Sequence, residues 1–361
     1  MKILVCHATA GAGHKKAAEA LFLILQKNPR YDVKIVDILD YTLPFYKNCY
    51  QKSYTFLISR ASWLWGFCFW LTDQKGLQGL IRHLRRLSNS HVAKPFAEFL
   101  KDEQFDCIFS THFFPNEVAG YLKRNGYILS KVISVITDFD VHRMWVSEGV
   151  DIYTAASDTT KAKLVQLGVL EDHIRVTGIP VDQKFAVSLN REELQNKLGI
   201  QKGIFTVLIA TGSFGIGPIR QIMEGLKGVQ ALVICGNNKK LFDDLSRIKK
   251  EFLHVYGHVN NMDELMSVSD CMVTKPGGLS ISEALVKNLP VIFFSAIPGQ
   301  ETNNVRILAS HGVGLKADGV SAIVQDVDRL KNQPPYFQDQ KEKTKAIARP
   351  AAAVDITALI S

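Results

Sequence analysis

Two segments of this chain gather residue types suited to holding an anion and the polar groups attached to it. The first, Lys275 to Ala284, reads KPGGLSISEA, and the second, Pro298 to Asn304, reads PGQETNN. The preceding DCMVT (Asp270 to Thr274) has the apolar character of a buried strand. Gly277 and Gly278 permit a tight turn, and Leu279 to Lys287 reads as a helix. A helix entered through a Gly-Gly turn presents N–H groups without intrahelical acceptors, and its dipole favours negative charge there. LPVIFF (Leu289 to Phe294) is the next strand, so PGQE leaves the same carboxyl edge, where open α/β sheets bind ligands. Lys275, Glu283, Gln300 and Glu301 then converge on one edge.

A third glycine-rich turn, TGSFGIG (Thr211 to Gly217), precedes a helix expected near Pro218, so that amides around Gly212 and Ser213 face a diphosphate. In the first half, AGAGH (Ala10 to His14) follows the strand KILVCHA, which places Gly13 and His14 at a helix start on the carboxyl edge. A neutral imidazole there is suited to accept a proton. The dinucleotide fingerprint G-x-G-x-x-G is incomplete because Lys16 stands at its third place; Asp37, ending the second strand, is the one feature left for an NAD site. TDFD (Thr137 to Asp140) contains D-x-D, a metal-binding pattern in another fold. Asp138 is assigned instead to the same pocket as His14, with His112 and Asn116 of THFFPN as further lining residues. His7 lies within a strand and reads as structural.

The elements that must position these residues alternate. KILVCHA, DVKIVDI, FDCIFST, KVISVIT, DIYTAAS and HIRVTG read as strands with helices between them. A second series starts near Phe205 with FTVLIAT, ALVICG and FLHVYGHV. Such alternation predicts two parallel-sheet α/β domains, with boundaries at 1–183, 184–340 and a final segment 341–361, and a hinge at VTGIPVDQKF.

The chain has 361 residues, 47% hydrophobic and 22% charged, enough for two folded cores. Six scattered cysteines without a CxxC pair read as buried reduced thiols. The opening MKILVCHATAGAGH begins a strand at once, without the regions of a signal peptide, and a cytoplasmic chain is expected. The net charge of +8 is concentrated between Tyr41 and Lys94, where eight basic residues face one acid, Asp73. The same stretch holds Trp63, Trp65 and Trp70. Its longest apolar run, Ala61 to Leu71 apart from Ser62, is far short of the roughly 20 residues that span a bilayer. Leu77, Leu80, Ile81, Leu84 and Leu87 recur at helical spacing among Arg82, Arg85 and Arg86. Aromatic rings beside a basic amphipathic helix predict docking on an anionic membrane surface. No nucleic-acid-binding signature accompanies them.

The KPGG-x-[ST]-x-[ST]-E run, PGQE-x-x-N, AGAGH, TDFDVHRMW and VTGIPV together resemble glycosyltransferase family 28, most closely its diacylglycerol glucosyltransferase and monogalactosyldiacylglycerol synthase branch. The resemblance extends over nearly the whole chain. It implies the glycosyltransferase B fold, two Rossmann-like domains facing across a cleft, with the final segment returning to the first domain. It also implies inverting transfer of glucose or galactose from a uridine diphosphate sugar to diacylglycerol on the cytoplasmic face of a membrane, without metal or other cofactor. Glu283 then binds the ribose, Gln300 and Glu301 the hexose hydroxyls, and backbone beside Val259 the uracil. His14 lies near the acceptor hydroxyl as general base, with Asp138 orienting or replacing it. An N-acetylglucosaminyltransferase acting on a polyprenyl-linked acceptor is the alternative within the family, and a nucleotide-sugar-gated membrane-binding protein without turnover is the alternative outside enzymes. On this reading Glu283→Gln weakens binding of uridine diphosphate and of the intact sugar nucleotide alike. Calorimetry with both ligands checks this; a loss confined to the intact donor contradicts it.

Overall fold

The computed structural model describes residues 1–9, 11–77, 79, 91–212, 215, 217–294 and 296–360. It divides into two compact units: Met1–Asp182 with Ile297–Asn303 and Ala351–Ser361, and Gln183–Ala296 with Asn304–Pro350. The segment Ile297–Asn303, read from sequence with the second sheet, packs within the first unit. The boundary expected at 341 falls inside the helix Pro334–Ile347, and the chain rejoins the first unit only at Ala351.

The first unit is built on six parallel strands, β1 (Lys2–His7), β2 (Asp32–Asp37), β3 (Cys107–Ser110), β4 (Lys131–Val135), β5 (Ile152–Ala155) and β6 (Ile174–Val176), in the order β2-β1-β3-β4-β5-β6. Parallel strands covered on both faces need apolar side chains at odd and even positions alike, which is why ILVC and CIF run without polar interruption. Leu4, Cys6, Ile108 and Val132 face one side, under Phe96 and Leu100 of the helix Lys94–Glu103 and Val118 and Leu122 of the helix Phe113–Arg124. Ile3, Val5, Phe109 and Ile133 face the other, under Leu21 and Leu25 of the helix Ala12–Leu25. Ala353, Ile356 and Ile360 of the final segment close that second layer. Strands β1 and β3 are neighbours, with Cys6 opposite Ser110, and the chain proceeds to β2 on one side and β4 on the other. The loops after β1 and β3 therefore meet at a topological switch point, the place where such sheets bind ligands.

The second unit repeats the plan with β7 (Thr206–Ala210), β8 (Gln230–Ile234), β9 (Leu253–Tyr256), β10 (Cys271–Thr274), β11 (Val291–Phe293) and β12 (Leu315–Lys316), in the order β12-β11-β10-β7-β8-β9. Its switch point lies between β7 and β10, with Ala210 opposite Thr274. The Gly212 turn and the Lys275–Gly278 turn leave those two strands side by side.

Between β2 and β3 the aromatic segment forms two helices, Pro44–Arg60 and Ser62–Thr72. Leu43, Phe45, Phe56, Trp63, Phe67 and Trp70 are exposed, Trp63 at 72%. Cys6, Cys107, Cys235 and Cys271 are buried, but Cys49 and Cys68 are exposed on these helices, contrary to the expectation for all six, because this segment lies outside the sheet layers. The expected basic helix with Arg82, Arg85 and Arg86 lies outside the described residues.

Gly120 and Gly149 allow the helix Phe113–Arg124 to touch the loop before β5: a Cβ on Gly120 would overlap the Glu148 carbonyl, and Gly149 has φ +89°. Gly120→Ala should destabilise the first unit by about 1–3 kcal/mol, since neither backbone can yield without moving a strand. Denaturant unfolding measures this, and an unchanged midpoint would show that the contact is loose.

Candidate active site

At the first switch point His14 sits in the first turn of the helix Ala12–Leu25 and Thr111 and His112 on the loop after β3, while the loop after β4 carries Thr137 and Asp138. Thr111 ties them together: its N–H donates to Cys6 O at 3.0 Å, and its hydroxyl donates to His14 O at 2.8 Å. His14 Nδ1 lies 2.7 Å from Thr111 O and 3.0 Å from Thr137 Oγ1. A carbonyl oxygen only accepts, so Nδ1 carries the proton and Nε2 is the acceptor of the neutral ring. Burial lowers the His14 pKa below its ordinary 6.5, outweighing the Asp138 charge and the Thr111 hydrogen bond, both of which favour the protonated ring. The ring is thus a base at neutral pH, with a carboxylate nearby to stabilise the cation it would become.

A cavity of about 290 Å³ opens beside it, with His14, His112, Asp138, Asp140, His142 and Gln300 in its polar lining. Its walls are Tyr50, Trp65, Phe69, Phe113, Met144 and Trp145. His14 and His112 meet edge to face, 4.9 Å between centroids. His112 Nδ1 accepts from Phe114 N, capping the helix Phe113–Arg124, so its neutral ring carries its proton on Nε2. His142 donates from Nε2 to Phe69 O at 3.0 Å, fastening the TDFDVHRMW loop to the helix Ser62–Thr72. The walls of this site are largely aromatic and apolar, and its polar lining combines the neutral His14 ring with the Asp138 and Asp140 carboxylates.

The sequence-derived residues are distributed unevenly around it. His14, His112 and Asp138 are brought together. Asn116 is fully buried, with Nδ2 donating to Ser134 Oγ at 2.7 Å, and stands outside the lining because its helix turns it into the core. Gly13 supplies backbone in the first turn of the helix that carries His14. Trp63 and Trp70 face solvent, whereas Trp65, on the same helix, lines the cavity. Gln300 Nε2 donates to Asp138 Oδ2 at 2.6 Å, and Glu301 Oε2 accepts from Ile297 N at 2.7 Å.

In the second unit, Gly212 has φ +78°, and a Cβ on either Gly212 or Gly277 would meet nothing within 4 Å, so both turns border open space. Gly277 caps the helix Gly278–Val286, whose first amides are free of side-chain caps. Asn304 Nδ2 donates to Pro276 O at 3.1 Å and braces this turn. Lys275 precedes it, half-buried; Glu283 sits on the same helix, half-buried, and Val259 follows β9. Ser213 lies outside the described residues.

Thr111, Thr137, Asn303 and the aromatic walls were missed from sequence. Thr111 directly follows an apolar strand run beside His112, a signal that could have found it; the pairing of Asp140 with Lys163 and Asn303 has no local signature.

Two parallel α/β units with ligand loops at their switch points define a glycosyltransferase-B type fold. The same fold is present in UDP-GlcNAc 2-epimerase from Neisseria meningitidis, with TM-score 0.61 and 16% identity over 100% of both chains. It is also present in MurG of Acinetobacter baumannii, with TM-score 0.61 and 14% identity over 99% of both chains. Residues 14–181 match the monogalactosyldiacylglycerol (MGDG) synthase family, and residues 206–355 match the glycosyltransferase family 28 C-terminal domain. Processive diacylglycerol beta-glucosyltransferases of Bacillus cereus (strain 03BB102) and Bacillus anthracis (strain A0248) are each 30% identical over 372 residues, covering 98% of this chain and 91% of theirs. The chain belongs to glycosyltransferase family 28, in its diacylglycerol glucosyltransferase branch.

With burial lowering the His14 pKa, the neutral ring persists to lower pH than an exposed histidine allows. The acid limb of kcat/KM for transfer should therefore have its midpoint below 6.5, and His14→Ala should lower the rate roughly 100-fold or more with donor affinity nearly intact. A pH–rate profile with calorimetry of donor binding checks both. A midpoint above 6.5, or near-normal turnover by His14→Ala, would remove His14 from this role.

Proposed function

We propose that this protein transfers glucose or galactose from a uridine diphosphate sugar to the free hydroxyl of diacylglycerol, with inversion, while docked on a membrane. One observation carries the reading: an aromatic-walled cavity is lined by a histidine whose Nδ1 donates to a backbone carbonyl, which leaves Nε2 as the acceptor. A lipid alcohol needs both halves of that arrangement. The curated relatives are named for this chemistry, whereas the likeness to MurG and to the epimerase extends to fold alone.

In the step proposed, the glycerol oxygen forms a bond to the anomeric carbon as the bond from that carbon to the diphosphate oxygen breaks. The hydroxyl proton passes to His14 Nε2, and Asp138 stabilises the imidazolium. In the second unit, amides of the Gly212 and Gly277–Gly278 turns, the dipole of the helix Gly278–Val286 and Lys275 balance the charge of the departing uridine diphosphate. Glu283 holds its ribose and backbone beside Val259 its uracil. The charge balance is supplied by protein groups, and no step calls for a cofactor.

The exposed Leu43, Phe45, Phe56, Trp63, Phe67 and Trp70 supply the interfacial surface. Among the described residues no helix is long and apolar enough to cross a membrane. Arg82, Arg85 and Arg86 would add attraction to an anionic leaflet, which favours a peripheral site on the cytoplasmic face.

Radiolabelled uridine diphosphate glucose and galactose presented with diacylglycerol vesicles test the reading. Labelled glycolipid should appear with one of the sugars. Trp63 and Trp70 replaced together should lower sedimentation with neutral vesicles at least about 10-fold, since each ring loses its interfacial burial. Label released only to water, or passed only to a polyprenyl phosphate acceptor, would overturn the diacylglycerol assignment.

A further inference from the structure

The D-x-D pattern of TDFD has a use that neither metal binding nor proton transfer describes. Asp140 is 6% exposed. Lys163 Nζ donates to both its carboxylate oxygens at 2.8 Å, and Asn303 Nδ2 donates to its Oδ2 at 2.7 Å. Two residues earlier, Asp138 accepts from Gln300. Gln300 and Asn303 are three residues apart at the start of the helix Gln300–Ser310, hence on one face. Carboxylates only accept, so both amides are oriented with nitrogen toward the acids. One helical turn is thereby pinned by two charge-assisted hydrogen bonds to two acids spaced two apart.

The turn they pin is braced internally. Ile297 N donates to Glu301 Oε2 at 2.7 Å, and Gly299 N donates to Thr302 Oγ1 at 3.0 Å. Its other side rests on the helix Ser62–Thr72: a Cβ on Gly66 would lie 2.6 Å from Pro298 Cβ, and one on Gly299, which has φ +91°, would lie 2.6 Å from the Phe69 ring. A self-braced turn moves as a body. What fixes its orientation over the cavity is the pair of carboxylates on one side and the Phe69 helix on the other.

We propose that Asp140, held by Lys163, is a positioning residue which, through Asn303, latches the 297–303 turn so that Gln300 is kept against the cavity beside Asp138 and His14. This deepens the transfer reading above and rests on it for its catalytic consequence. Asp140 itself touches no reacting atom. Its contribution is to keep the turn seated, so that the acceptor hydroxyl rather than water meets the anomeric carbon.

The test uses the full chain with Asn303→Ala, Asn303→Asp, Asp140→Asn and the exchanged pair Asp140→Asn with Asn303→Asp. Amide hydrogen exchange of residues 297–303 reads the latch without needing activity. Asn303→Ala and Asp140→Asn should each speed exchange there by roughly 10-fold or more, with exchange in β1, β3 and β4 unchanged. Asn303→Asp sets two carboxylates face to face and should be worse than Asn303→Ala. The exchanged pair, with donor and acceptor reversed, should recover much of the protection. With uridine diphosphate glucose or galactose and diacylglycerol vesicles, the single variants should lower kcat for lipid and raise the ratio of donor hydrolysis to transfer, while the Kd for uridine diphosphate stays unchanged. Unaltered exchange in the single variants overturns the latch. Faster exchange with an unchanged hydrolysis-to-transfer ratio overturns the positioning role and leaves Asn303 a structural anchor. If the unmodified protein transfers to no lipid yet the exchange pattern is as expected, the latch is supported and the transfer reading fails.

Discussion

The hydrogen bond from His14 Nδ1 to the Thr111 carbonyl is the interaction on which the candidate site depends. It exists because β1 and β3 are adjacent parallel strands ending in register, so that the first turn of one crossover helix meets the first residue beyond the neighbouring strand. Remove the register and the imidazole is free to turn either nitrogen toward the cavity. With it, ring orientation and tautomer are set by backbone, which is far harder to displace than a side chain. Thr111 serves twice, since its hydroxyl also holds the His14 carbonyl. The orientation of the His14 ring is thus built into the sheet itself.

The two sheets use the same topological device for different chemistry. At the first switch point the loops carry a histidine and face aromatic side chains; at the second they carry glycines and open amides. A parallel sheet buries both faces and leaves only its edges for function, so divergence is confined to the loops at one edge. Cores of nearly interchangeable Val, Ile and Leu keep each edge rigid.

The alternation of apolar runs and helical segments made both sheets legible, and glycine before or within a strand-to-helix turn made most loop residues legible too. His14 could be read because an imidazole on a glycine turn has no apolar face to satisfy. What could not be read were pairings across long sequence separations, such as His14 with Thr137 or Asp140 with Lys163 and Asn303. Spacing within a segment says nothing about which carbonyl or amide the tertiary fold will set opposite it. Asn116 lies near His112 in sequence, yet the helix capped by His112 rotates it into the core. In the helix Ser62–Thr72 apolar residues occupy every face, so periodicity could not tell which tryptophan turned inward.

That helix carries a kinetic consequence. Trp63 is exposed and Trp65 lines the cavity, two residues apart on one short element. On the proposed reading, membrane and cavity lie on opposite faces of this one helix, so a lipid would pass only the width of that helix, and each methylene kept from bulk water on the way would spare about 0.8 kcal/mol. Saturation would then follow the mole fraction of acceptor in the plane of the membrane. Diluting the acceptor with inert lipid would slow the enzyme, while diluting the whole suspension with buffer would alter only how much protein is on the surface.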